Sequence, residues 1–161
     1  MLNLTDKQIA EYMFRSYAAV DGLWFVKLEE KAGFDTALDI DEAVWKIMPK
    51  IQARKLRSMA NIPDGLDGLF EAYTTKITLE GFEFETRREL NAFEIIVSKC
   101  PWYEIMVKSN RGHVAEKIGD RICNAEYGGW ATEFGSDLGF ELRSRICRGQ
   151  AQCRLRFFRK T

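Results

Sequence analysis

The chain has 161 residues, enough for one domain with a sizeable buried core, and its apolar content excludes a disordered, solvating tract. Its 24 basic and 24 acidic side chains cancel, so no global field draws it to nucleic acid. No run approaches the roughly 20 apolar residues of a bilayer-spanning helix, and the stretch Met1 to Asp6 lacks the basic and apolar regions of a signal peptide, which predicts a cytoplasmic protein with no membrane partner.

Thr5 and Gln8 form a capping-box pattern, with each side chain placed to reach the other's backbone, so a helix starts there. Ile9, Met13, Tyr17, Val20, Trp24 and Leu28 recur at steps of three and four, which predicts a core-facing stripe through about Glu30. Asp21, Glu29 and Glu30 are available as acids, bases or cation partners, but their first reading is solvated helix surface. Gly33 suits a helix end. Asp35 or Asp39 then caps a second helix carrying Val44, Ile47, Met48, Ile51 and Leu56, kinked or broken near Pro49. Asn61 to Gly65 is the best candidate boundary, dividing an N-terminal helical region, 1–62, from the remainder, 63–161.

A short helix from about Leu66 to Leu79 precedes a change of period. Phe82 to Thr86 and Phe93 to Val97 alternate as strands do, joined by a turn at Arg88 to Asn91. The second strand delivers Cys100 to its end, where Pro101 opens a short helix through about Lys108. A longer helix follows from His113 to about Phe134, with a break at Gly128 and Gly129 as an equal alternative. Phe140 to Ile146 and Cys153 to Phe157 form a last hairpin whose arginines, Arg143, Arg145, Arg154 and Arg156, face away from its apolar side. Cross-strand pairing with Glu83 and Glu85 accounts for them better than an RNA-binding surface, since no exposed aromatic pattern accompanies them. This order predicts an α+β domain: an antiparallel four-stranded sheet packed by helices, with an N-terminal helical extension.

All four cysteines and the only histidine fall between residues 100 and 153. In a reducing compartment such thiols are free or metal-bound rather than disulfide-paired, although buried cysteine is also a common small apolar residue. Trp24, Trp45, Trp102, Tyr103, Tyr127 and Trp130 offer apolar bodies with polar handles, suited to lining a pocket or to ordinary core.

Cys100-Pro101-Trp102, the segment Ile122-Cys123-Asn124-Ala125-Glu126-Tyr127 and the closing run from Cys147 to Phe157 resemble the 2-amino-thiazoline-4-carboxylate hydrolase-like group. That group is similar in turn to the four-vinyl-reductase small-molecule-binding domain. The similarity covers about residues 66 to 158. Asp21 to Phe25, Glu29 to Phe34 and Asp41 to Trp45 are similar to the helical front of uncharacterised relatives. The resemblance implies an α+β domain, often a homodimer, enclosing a small organic molecule, with a cysteine-rich Zn²⁺ site near the pocket in sensor members. In sensors of aromatic compounds that site uses three cysteines and a glutamate. Cys123, Cys147 and Cys153 match the cysteines, whereas Arg143, Ser144 and Arg145 stand where the sensor glutamate lies, and the hairpin loop is shorter.

Thiolates are soft ligands suited to Zn²⁺, and one helix plus one hairpin can supply three corners of a tetrahedron. The fourth ligand would be Cys100, or Glu126 one turn beyond Cys123. His113 lies roughly 15 Å along the helix from Cys123, too far to share an ion, and faces solvent or a pocket. Pocket candidates are Trp24, Trp102, Tyr127, Trp130 and His113. The predicted function is small-molecule binding beside a cysteine-rich zinc site. The alternatives are a hydrolase of a small cyclic amide- or thiazoline-like compound, using metal-bound water or a cysteine nucleophile, and a regulatory domain for a partner protein.

Overall fold

The computed structural model describes residues 2–160. Six helices and four strands succeed one another: α1 (Asp6–Ala32), α2 (Phe34–Trp45), α3 (Met48–Ala60), α4 (Gly65–Leu79), β1 (Glu83–Glu89), β2 (Ala92–Lys99), α5 (Pro101–Lys108), α6 (Ala115–Phe134), β3 (Leu138–Ser144) and β4 (Cys153–Arg159). The fold is α+β, with one antiparallel sheet in the order β1-β2-β4-β3. Among the described residues no helix is long and apolar enough to cross a membrane.

The helix starts follow local chemistry. Thr5 accepts from the Gln8 amide at 3.3 Å while the Gln8 side chain accepts from the Thr5 amide at 2.9 Å, the reciprocal cap the sequence predicts. Gly33, at φ +87°, turns the chain from α1 straight into α2, a conformation that favours glycine. Pro49 does not kink a helix. The second helix stops at Trp45 and a third begins at Met48, placing the proline in a first turn, where its missing N–H leaves no bond unmade. Likewise α6 runs unbroken through Gly128 and Gly129 and starts at Ala115, with His113 in a preceding 3-10 turn, Gly112–Val114.

The core lies between the helices and one sheet face. Phe93, Ile95 and Val97 of β2 pair with Phe157, Leu155 and Cys153 of β4, and this layer packs with Leu69, Tyr73, Ile77, Trp130 and Phe134 from α4 and α6. Burial on this scale supplies the main stabilisation, about 25 cal/mol per Å² of apolar surface removed from water. The sequence expectation for α1 is corrected: Ile9, Met13, Val20 and Trp24 are exposed, and only Ala18 and Phe25 are buried. A three-and-four repeat identifies an apolar stripe but not what covers it.

The other sheet face is a lattice of charge. The Glu83 and Glu85 pairing with the hairpin arginines expected from the sequence does not form among the described residues: β2 neighbours β1, and its Lys99 takes Glu83 at 3.0 Å. Glu94, on the central strand, takes their place: Arg154 donates to it at 2.7 Å and Arg143 approaches at 3.6 Å. Arg156 reaches across to Glu89 at 2.7 Å. Arg143, Arg154 and Arg156 are thus engaged in cross-strand pairs on the polar face, whereas Arg145 and Arg148 turn to Asp120 on α6.

Candidate functional site

A file of polar and aromatic groups runs from a surface cleft on the N-terminal helices, through the interior, to the cysteines. The cleft lies between α1 and α2 and has a volume of about 390 Å³. Val20, Leu28, Ile40 and Val44 give it apolar walls, Tyr17, Trp24 and Phe25 aromatic ones, and Asp21 and Asp41 are its carboxylates. Burial raises the Asp21 carboxyl above the ordinary range. Burial, then the charge of Asp21, pushes Asp41 up to about 7, and a hydrogen bond from Trp45 only partly opposes this.

Trp102 stands behind the cleft. Its ring meets Phe14 at 5.6 Å, Tyr17 at 5.5 Å and Trp45 at 5.5 Å between centroids, each close to perpendicular. Edge-to-face pairs of this kind are worth about 0.5–1.5 kcal/mol each beyond burial. The Trp102 indole N–H donates to Glu80 at 3.2 Å.

Glu80 leads inward to Lys76, 2.9 Å away, whose ammonium also donates to Glu126 on α6. All three are buried. Desolvation opposes the charge on Lys76, but the two carboxylates outweigh it and hold the lysine protonated well above its ordinary range. Lys76 is therefore a fixed cation and a poor nucleophile. Sequence reasoning did not single out Lys76 or Glu80. The available signal was their phase: Leu69, Ala72, Tyr73, Lys76 and Glu80 share one helical stripe.

The cysteines lie beyond Glu126. Cys100 ends β2, Cys123 projects from α6, Cys153 opens β4 and Cys147 sits in the 3-10 turn Ile146–Arg148 of the closing hairpin. That turn ends at Gly149, φ +77°. The four share one neighbourhood: Cys123 feels the charges of Glu126, Cys100 and Cys147, and Cys153 acts on both Cys100 and Cys147. A methyl group at Gly119 would meet the Cys147 sulfur at 3.0 Å and the Cys123 sulfur at 3.9 Å, so the glycine leaves that space open. The Ile146 amide donates to the Cys153 sulfur at 3.2 Å.

Zn²⁺, the ion implied by the sequence resemblance, suits this donor set by softness; burial raises the Cys153 thiol above its ordinary range, and the N–H···S bond from Ile146 and the charge of Arg145 only partly oppose this. Among the described residues, however, no three histidine, cysteine, aspartate or glutamate side chains converge as a ready-made metal site. Burial pushes Cys100 up to about 12 and Cys123 well above the thiol range, leaving both protonated at neutral pH and unlike activated nucleophiles.

The remaining pocket candidates separate. Trp24 lines the cleft and is 73% exposed, and Trp102 backs it. Tyr127 and Trp130 belong to the core, packed against Tyr73, while His113 is exposed and lines neither the cleft nor the cysteine neighbourhood.

The model of a family of unknown function, DUF6125, matches residues 4–129. It is not the 2-amino-thiazoline-4-carboxylate hydrolase-like group that the motifs resemble. No curated protein matches the chain. Among solved structures, the phenol-responsive sensory domain of the transcription activator PoxR, determined with phenol, is similar at a TM-score of 0.56 and 13% identity. The alignment covers 88% of this chain and 73% of that one. At this identity the likeness is one of fold.

Proposed function

The chain belongs to a family of unknown function, DUF6125, and from that premise we propose that it is a small-molecule-binding module whose ligand occupies the cleft between α1 and α2. The observation that carries the reading is the cleft itself: its volume lies within the range of ligand sites, its walls are apolar and aromatic, and its few polar groups are poorly solvated. A fold shared with a phenol-responsive sensory domain supports it. The family match spans α1 to the middle of α6, and so includes the whole cleft and the Lys76 network.

The proposal includes a structural Zn²⁺ held by Cys123, Cys147 and Cys153, with Cys100 as fourth ligand. Glu126 is the weaker candidate because Lys76 already engages it. The metal would supply cross-linking of α6 to the hairpin. The proposal also includes pairing of two copies along α1, where Ile9, Met13, Val20 and Leu23 expose an apolar stripe. A reducing, cytoplasmic setting suits the four unpaired thiols. Nothing in the site favours the hydrolase alternative.

The test is native mass spectrometry of the purified protein before and after denaturation, with elemental analysis and sedimentation of the same sample. A small organic species released on denaturation, and lost when Val44→Arg fills the cleft, is the expected result. Protein that carries no organic species and shows no fluorescence response of Trp24 to any member of a small aromatic library would overturn the reading.

A further inference from the structure

We infer that the cleft between α1 and α2 takes an organic cation, an ammonium on a compact apolar or aromatic body, with Asp21 and Asp41 as its counter-charges. This rests on the proposed binding function and names the class of ligand.

The charge accounting motivates it. Asp21 and Asp41 lie in one cleft, and neither forms an ion pair among the described residues. The nearby cations are committed elsewhere: Arg121 to Asp39 and Glu42, Lys46 to Glu42, and Lys117 to Asp35. Two carboxyls in a poorly solvated cleft without a basic partner require either protonation or a cation from outside.

Three independent features select an organic ammonium over a bare ion. The cleft offers two carboxylates and no third anionic ligand, whereas hard divalent ions take six or more oxygens. Its volume of about 390 Å³ far exceeds that of an ion. The aromatic rings of Tyr17 and Trp24 line the same cleft as the carboxylates, and ring faces attract cations at about 0.5–2 kcal/mol each. Trp24 lines the cleft and is largely exposed. An anionic ligand would add like charge to the two carboxyls, and a neutral one would leave protonation as their only compensation.

The experiment compares benzylammonium, benzyl alcohol and benzoate, ligands of similar size that differ in charge, by titration against the full chain with Trp fluorescence and chemical-shift mapping. Benzylammonium should bind with shifts confined to α1 and α2, at least about tenfold more tightly than the alcohol. Asp41→Asn and Asp21→Asn, isosteric changes that preserve the fold, should each weaken it by about tenfold, while Asp39→Asn, outside the cleft, should not. Circular dichroism of each variant separates lost binding from lost folding. Equal binding of the alcohol and the ammonium, with both unaffected by Asp41→Asn, would overturn the cation inference and leave the binding-module reading standing. No response of the cleft to any of the three overturns the cation inference, and the library screen described above then judges the wider reading.

Discussion

Gly129 on α6 lies directly against Pro49 on α3: a Cβ at position 129 would come within 2.9 Å of the proline Cβ and 3.3 Å of its Cγ. Neither partner can yield, because the proline ring is rigid and both residues are buried. Gly129→Ala gains up to about 1 kcal/mol in helix propensity but overpacks the α3–α6 contact at about 1–3 kcal/mol. A net loss in urea denaturation is expected. A net gain would show that the two helices separate easily.

Lys76→Met is expected to cost about 3–5 kcal/mol, since it leaves Glu80 and Glu126 buried without their cation. Adding Glu126→Gln and Glu80→Gln should recover a large part of that loss. Denaturant midpoints of the single and triple variants check this, and equal stability of the two would refute the charge argument.

The pH dependence follows from Asp41, whose carboxyl is raised to about 7 from an ordinary value of 3.8. Below 3.8 both folded and unfolded chains hold the proton. Between there and 7 the unfolded chain has released it while the folded chain retains it, so this group's contribution to stability falls as pH rises. The groups around it are Asp21 and Tyr17 from α1 and Trp45 on its own helix, with Glu80 and Lys76 of α4 facing Tyr17 from behind. Asp41→Asn should be more stable than wild type by about 1–2 kcal/mol at pH 8, once partial exposure is discounted, and no more stable near pH 4. A gap that does not change between those pH values would show that Asp41 titrates normally.

Gly119→Val tests the cysteine neighbourhood. Its side chain would occupy the space between the Cys147 and Cys123 sulfurs. If Zn²⁺ bridges them, wild-type protein should carry about one zinc per chain and the variant well under half of that, by elemental analysis and thiol titration with and without chelator. Protein with no zinc and four thiols titrating alike before and after chelation would remove the metal from the proposal.

Much of the architecture was legible because its signals are local. The Thr5–Gln8 cap, the chain reversal at Gly33, the exit of β2 at Cys100 into a proline-led helix, and the alternation of the last hairpin each depend on a few neighbouring residues. The site was less legible. Trp24 and Trp102 were visible as aromatic candidates, but Lys76 was not, because its salt bridge to Glu126 spans fifty residues of sequence. Asp21 read as solvated helix surface and Asp41 was not a site candidate, and only the packing of α1 on α2 puts both into one cleft.

By itself, the sequence determined which segments become helices and strands, that the fold is α+β, and that the cysteines gather in its C-terminal part, since periodicity, caps and turn residues act within a few positions. Tertiary structure alone decided which apolar stripe is covered, that β2 lies between β1 and the arginine strands, and that a lysine and two glutamates meet in the interior. Burial and charge pairing depend on surfaces brought together from distant parts of the chain, and no local pattern carries that distance.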